Sequence, residues 1–404
     1  MRIAFVLNDL RLSGGVNVVL QYASRMATEG NHGVTLLLRE SAVYPWAYEF
    51  TTNVNIVPLE SAAKYEWDIA VATYWETLLL LGQVRAQSYV WFCQQYEDRF
   101  FPDRNPNIST MQIVGAIPLP VVTEAHWLQD LLQTENPDRT VEVVLNGIDK
   151  EFFRPADIDM RVAGNFDVLV EGSLDGLAKN TAMALGGALA STHATLVTHI
   201  GDTPFTTDDS RYRFVKSQLS FEQMGAMYQR HHLLVKTPLV EGMFGPPLEA
   251  FHCGTPALVT PVTGSEEYIR HMQNSLVVSW SNPEDISRQI DHLATTPSLW
   301  QKLSEGALQS AEAWPTWETQ AVKFEQALLR VAATSKLTQH DLANLSRTIS
   351  FGDLMHWLAM RRLSDKKAGA GLTESTLEAA PLPTRRKTLA GLARRIRNFF
   401  KNRV

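Results

Sequence analysis

The 404-residue chain has two cysteines, Cys93 and Cys253, far apart and in apolar settings. That excludes a disulfide framework, and no CxxC pair or Cys/His cluster offers a zinc site. A reducing compartment is the simplest reading. Long apolar runs are missing as well: no stretch reaches about 18 uninterrupted apolar residues, the length of a membrane-spanning helix. The N-terminal MRIAFVLNDL has an apolar run of only five residues before Asn8, too short for a signal peptide, and it reads as a buried first strand. Excess positive charge is also absent. A net charge of −6 gives no sign of a nucleic-acid binder over the whole chain. No G-x-G-x2-G follows the first strand, where Ser13-Gly14-Gly15-Val16 stands instead, so a dinucleotide oxidoreductase is disfavoured although Glu40 follows VTLLLR.

What is present is an ordinary globular composition, 45% hydrophobic and 20% charged, on a chain long enough for two or three domains. Short apolar runs alternate with segments of helical period. RIAFVL at 2–7 precedes a helical stretch from about Val16 to Glu29, and VTLLL, DIAVAT, YVWFC, PVVT and EVVLNG follow. The pattern restarts at DVLVEG, 167–172, then a helix near 179–190, ATLVTHIG, HLLVKT, PALVT and SLVV. This alternation predicts α/β architecture, with two Rossmann-like domains whose parallel sheets carry helices on both faces. The expected division is 1–155 with a returning helix at 316–333, then 156–315. A helical extension at 334–363, a linker at 364–384 and a basic amphipathic tail at 385–404 complete the chain. In the returning helix, Trp317, Ala321, Phe324, Leu328 and Val331 recur at helical spacing behind a Thr316 cap. The extension offers Leu342, Leu345, Ile349 and Leu354 as buried positions. The tail carries eight basic residues and no acidic one, a composition suited to an anionic membrane surface, with docking on the protein's own surface as the alternative.

The segment LLVKTPLVEGMFGPPLEAFHCGTPALVT, 233–260, holds the densest chemistry. A buried strand ends at Lys236, and Gly242 and Gly245 allow close backbone approach to a ligand. Pro246 and Pro247 suit the first turn of a short helix that Gly254 ends. Free N–H groups and the dipole at that helix start favour a diphosphate. Glu241 in the loop and Glu249, expected in the first turn, would repel an anion but suit hydroxyl groups. A diphosphate with a polyhydroxylated group at each end is a nucleotide sugar. The plainer alternative for either acid is a solvated surface carboxylate.

The E-x7-E block followed by A-x2-CG-P resembles the signature of retaining, GT-B-fold glycosyltransferases of family 4. Ser13-Gly14-Gly15 is similar to that family's glycine loop, NGIDKEFFRP (146–155) to its inter-domain segment, FEQMGAMYQRHHLLV (221–235) to the stretch before the donor motif, and GSEEYI (264–269) to the one after it. WPTWE resembles the helix that crosses back. The resemblance covers about 1–333 and implies two Rossmann-like domains facing across a cleft. It implies that Glu249 holds ribose hydroxyls, Glu241 contacts the donor sugar and Lys179 neutralises the diphosphate. Gly14, Gly15, Gly172 and the backbone around Phe244 and Gly245 would surround the donor. It further implies metal independence, in keeping with the absence of a DxD motif at a strand end, and no cofactor beyond the nucleotide sugar.

Two departures stand out. Gly-Ser-Leu-Asp follows Glu171 where the family has an Arg soon after the glycine, so the leaving group has one cation fewer or another residue supplies it; Lys236 is near in sequence but fits a structural role equally. CQQYEDRFFP (93–102) resembles the QDYE-x2-F segment of bacterial polysaccharide rhamnosyltransferases, which implies Gln95 near the reaction centre with Glu97 close by, or else a loop that braces the cleft. His126 fits a sugar or acceptor contact, a cap or a packing role. The Tyr44, Pro45, Trp46 and Tyr48 cluster fits an acceptor platform or simple core.

The expectation is therefore a sugar transferase working on a glycan or lipid-linked acceptor in bacterial surface polysaccharide synthesis, dTDP-rhamnose being one donor candidate. Such a protein would be cytoplasmic and peripheral at the inner membrane face, with no nucleic-acid partner. A non-catalytic scaffold and a GT-B-fold epimerase or phosphorylase are the alternatives.

Overall fold

The computed structural model describes residues 1–42, 44–96, 115–156, 161 and 164–349, without the side chain of Leu177. Glu97, Leu354, the linker and the basic tail lie outside the described residues. The chain splits into two compact units. Unit 1 is Met1–Thr123, Leu128–Val143 and Phe324 onward, and unit 2 is Glu124–Trp127 with Val144–Lys323. The chain passes between the units at 123/124, 127/128, 143/144 and 323/324, whereas the sequence predicts passages at 155/156 and 315/316.

Unit 1 carries β1 (Arg2–Leu7), α1 (Gly14–Thr28), β2 (Gly33–Leu38), α2 (Tyr48–Thr51), β3 (Asn55–Pro58), β4 (Trp67–Ala72), α3 (Trp75–Leu80), β5 (Ala86–Cys93), β6 (Val121–Thr123) and β7 (Val141–Val143), with most of α4 (His126–Glu135). Its sheet has the order β3-β2-β1-β4-β5-β6-β7, and the pairings are parallel. The order reverses between β1 and β4, so the loop after β1 opens at the switch point where such sheets bind ligands. Ser13 caps α1 by accepting from the Val16 N–H at 3.2 Å. Phe324 enters the core of this unit, stacked on Tyr22 at 4.1 Å and edge-on to Phe92 at 4.9 Å. Leu342, Leu345 and Ile349 are buried along the helical run 339–349, as their spacing predicts.

Unit 2 carries β8 (Asp167–Glu171), α5 (Thr181–Ala190), β9 (Leu196–Gly201), β10 (Tyr212–Lys216), α6 (Phe221–Arg230), β11 (Leu233–Lys236), α7 (Gly245–His252), β12 (Ala257–Val259), β13 (Ser275–Val277), α8 (Pro283–Thr295), α9 (Pro297–Ala313) and the first turns of α10 (Trp317–Ala332). The sheet order is β10-β9-β8-β11-β12-β13, again with parallel pairings. Here the reversal lies between β8 and β11, whose last residues are Glu171 and Lys236. Both strands are buried apolar runs, as expected for a sheet covered on two faces. The run EVVLNG is strand only as far as Val143, and further on Gly147 packs tightly on the Thr316–Trp317 backbone.

Candidate active site

Chemistry gathers at the β8/β11 switch point of unit 2. Gly172 follows β8 with φ 152, donates its N–H to Ile200 O at 3.0 Å, and packs where a Cβ would strike the Thr181 hydroxyl. Its own carbonyl meets His199 Nε2 at 3.0 Å, and burial pushes that imidazole below its ordinary pKa. The chain then turns through Leu177–Lys179 into α5. This turn aims Lys179 at Glu241, with Nζ donating to both carboxylate oxygens at 2.8 and 3.0 Å. Burial would lower the Lys179 pKa, but Glu241 overrides it and the lysine is held above the ordinary value. The side chain of Lys179 remains 37% exposed, against 11% for Glu241. The pair is therefore reachable from solvent on its cationic side.

Beneath it sits a second pair. Lys236 is 4% exposed and donates to Glu171 across the β8/β11 junction. Burial alone would raise the Glu171 pKa, but Lys236 holds it below the usual range. Lys236, the nearby cation the sequence offers beside the missing Arg, is thus a buried residue paired with an acid on the neighbouring strand.

Glu249 is the fifth residue of α7, so it stands in the second turn and not the first as expected. The helix begins at Gly245, one residue ahead of the two prolines. Burial pushes the Glu249 carboxyl up to about 7; Tyr228 opposes the rise by donating its hydroxyl at 3.0 Å, while Glu171 adds to it. The start of α7 has fewer free donors than the sequence reading assumed. The Gly245 N–H already donates to Met243 O at 3.0 Å, the Phe244 carbonyl accepts from the Tyr268 hydroxyl, and prolines carry no N–H. Phe244 itself is fully buried. Among the described residues, the N–H groups of Gly242 and Phe244 have no acceptor, so these are the loop's open donors.

Sequence reasoning missed Glu124. Its side chain accepts from Asn146 Nδ2 at 2.8 Å and from the Met243 N–H at 3.1 Å, one on each oxygen. Burial pushes this carboxyl up to about 8, those two bonds pull against it, and Glu241 adds to the rise. Glu171 and Tyr228 were missed too. Nothing in local spacing marks them, since their partners lie 65 and 21 residues away. His126 pairs with Glu267, whose carboxylate takes both the His126 N–H at 2.7 Å and Nδ1 at 2.9 Å. Of the open readings for His126, this is the helix start held by a neighbouring acid, with the imidazole exposed.

In unit 1, Gly14 has open space around it, while Gly15 accepts on its carbonyl from Gln94 Nε2 at 3.0 Å. Gln94, not Gln95, thus meets the glycine loop; Gln95 accepts from the Cys93 thiol through its backbone oxygen. Tyr48 is exposed, and Trp46 donates to Leu10 O at 2.9 Å.

The structure therefore gathers Gly172, Lys179, Glu241, Phe244, Gly245 and Glu249 around one strand reversal. Such a site offers a cation that can leave its acid, an acid so released, and a second acid with one oxygen engaged. Residues 213–310 match the family described as glycosyl transferases group 1, a span that includes Glu241 and Glu249 but not Lys179. D-inositol 3-phosphate glycosyltransferase of Streptomyces bingchenggensis is 29% identical over 91 residues, covering 22% of this chain and 20% of that protein. The match thus spans about a fifth of that relative's length. Among solved structures, sucrose-phosphate synthase from Thermosynechococcus elongatus is similar with TM-score 0.68 and 16% identity, over 83% of this chain and 100% of that one. Anabaena HepE in complex with UDP and glucose gives TM-score 0.67 and 13% identity, over 82% and 100%. These likenesses establish the fold: two parallel-sheet Rossmann-like domains of GT-B type.

Proposed function

We propose that the chain is a glycosyltransferase that moves a sugar from a nucleoside diphosphate sugar to an acceptor hydroxyl, with retention at the anomeric carbon. The observation that carries this is the Lys179–Glu241 pair at the switch point, with Glu241 four residues ahead of α7, the helix that carries Glu249. Lys179 leaves Glu241 for the incoming diphosphate. The freed Glu241 accepts hydroxyls of the donor sugar, and Glu249 accepts those of the ribose with its free oxygen. The acceptor oxygen then bonds to the anomeric carbon as the carbon–oxygen bond to the diphosphate breaks. The acceptor's proton passes to the departing diphosphate, whose charge Lys179 and the α7 dipole stabilise in place of a metal ion. The group 1 domain across 213–310 and the UDP and glucose held by HepE support a nucleotide-sugar donor.

The finer reading is a bacterial surface polysaccharide enzyme using a lipid-linked acceptor at an anionic membrane face. The basic segment 385–404 supports the membrane face, and CQQYEDRFFP supports dTDP-rhamnose as the donor. In this reading Gly14 and Gly15 belong to the donor loop, Gln95 acts near the reaction centre, and His126 and Glu97 are the sugar or acceptor contacts. No helix among the described residues is long and apolar enough to cross a membrane. A thermal-shift panel of UDP, GDP and dTDP sugars tests the donor: a ligand at 100 times its Kd stabilises by about 2.7 kcal/mol, and no response to any of them refutes the reading. Sedimentation with anionic liposomes tests the membrane. Equal binding by the full chain and one ending at residue 384 refutes that part.

A further inference from the structure

We infer that Glu124 and Trp127 form a clasp that presets the Gly242–Phe244 backbone to receive the diphosphate, which makes both of them positioning residues. This rests on the donor-site reading above. The segment Glu124–Trp127 packs within unit 2, and it grips both polar ends of one peptide of the loop, the one joining Gly242 to Met243. The Glu124 carboxyl accepts from the Met243 N–H at 3.1 Å, and the Trp127 indole donates to Gly242 O at 2.8 Å. Asn146 holds the second Glu124 oxygen at 2.8 Å, so the carboxyl cannot swing away. On another side of the loop, Gly264, with φ 81, lies so close that a Cβ would run into Gly242 O. Thr263 closes the loop's start by accepting from the Glu241 N–H at 3.2 Å and donating to its carbonyl at 2.7 Å.

Every group that holds the loop thus uses the Met243 N–H or a carbonyl or the loop's first peptide. The Gly242 and Phe244 N–H groups are left without acceptors among the described residues. A buried loop with two unspent donors between Glu241 and the α7 start is a fixed anion cradle. Fixing it beforehand avoids the ordering cost when ligand binds. The clasp touches none of the groups that would hold the nucleoside, since Glu249 is anchored separately by Tyr228.

The test is calorimetric titration of the full chain with a nucleoside diphosphate and with the matching monophosphate, for wild type, Trp127→Phe, Glu124→Ala and Glu124→Gln. Trp127→Phe and Glu124→Ala should each weaken the diphosphate about five- to tenfold, the loss of one buried hydrogen bond, and leave the monophosphate within about twofold. Glu124→Gln keeps an acceptor for Met243 and should restore most of the diphosphate affinity. Trp127→Phe keeps the fold readable if Glu124→Ala does not fold. Unchanged diphosphate binding in Trp127→Phe, or equal losses for both nucleotides, overturns the clasp alone. A wild type that binds neither nucleotide overturns the donor-site reading and the clasp with it.

Discussion

Replacing Glu241 and Lys179 separately should move nucleotide affinity in opposite directions. At 2.8 Å the two charges attract by about 6 kcal/mol at an effective dielectric of about 20, before desolvation is subtracted. Because the lysine side chain is 37% exposed, solvent screens much of this, and a net value near 1 kcal/mol is reasonable. An incoming diphosphate must displace Glu241 from Lys179 and therefore meets that cost. Glu241→Ala removes the competitor, so a bare nucleoside diphosphate should bind about fivefold more tightly. The same variant loses its contact with the donor sugar, so transfer should fall by about a hundredfold or more. Lys179→Ala removes the cation at the leaving group, a loss comparable to deleting one oxyanion donor, about 10²–10³ in turnover. Its diphosphate affinity should drop as well. Calorimetry with the diphosphate alone, beside a coupled assay of diphosphate release from the nucleotide sugar, separates the two effects. If Glu241→Ala weakens the diphosphate as Lys179→Ala does, the exchange of partners is wrong. If Lys179→Ala turns over near-normally, the cation has been misplaced.

Three further outcomes follow from the same geometry. Glu249 titrates near 7, and ribose hydroxyls favour its ionised form, so nucleotide binding at pH 7 should release more protons from wild type than from Glu249→Gln; equal release in buffers of different ionisation enthalpy would count against the ribose role. Glu124 is raised from 4.5 to about 8, so its stabilising contribution is full below about 4.5 and is lost as pH rises through about 8. Urea melts should then show wild type losing about 1.4 kcal/mol per pH unit relative to Glu124→Gln between about pH 5.5 and 7.5, and parallel curves would refute the burial argument. A Cβ on Gly82 would lie 2.6 Å from the Ala343 backbone, so Gly82→Val should displace the 339–349 helical run and lower the melting midpoint by the equivalent of about 1–3 kcal/mol; an unchanged midpoint would show that the run does not pack there.

Most of the fold could be read because buried parallel strands announce themselves as continuous apolar runs. β1, β2, β4, β5, β8, β9, β11, β12 and β13 all coincide with such runs. β3 and β10 escaped because each is the edge of its sheet, half-exposed and mixed in composition, as NIVP and YRFVK show. The site divides along similar lines. Gly172, Glu241, Gly245 and Glu249 belong to local patterns of turn, helix start and spacing, which a sequence displays. Glu171–Lys236, Lys179–Glu241 and Glu124–Met243 join residues 65, 62 and 119 positions apart. Only folding brings these together, and nothing local in VVTEAH marks Glu124. The Gln94–Gln95 case has a simpler cause. Gln94 stands at a bend just after β5 and turns to the Gly15 carbonyl, and a resemblance that marks the whole segment does not distinguish the two glutamines.

A crystal structure of the full chain with a nucleoside diphosphate bound would test the central claim most directly. The account expects ribose hydroxyls on Glu249, phosphate oxygens on the Gly242 and Phe244 N–H groups, and Lys179 moved from Glu241 to the diphosphate. A diphosphate bound elsewhere, or bound here with Lys179 still on Glu241, would contradict it.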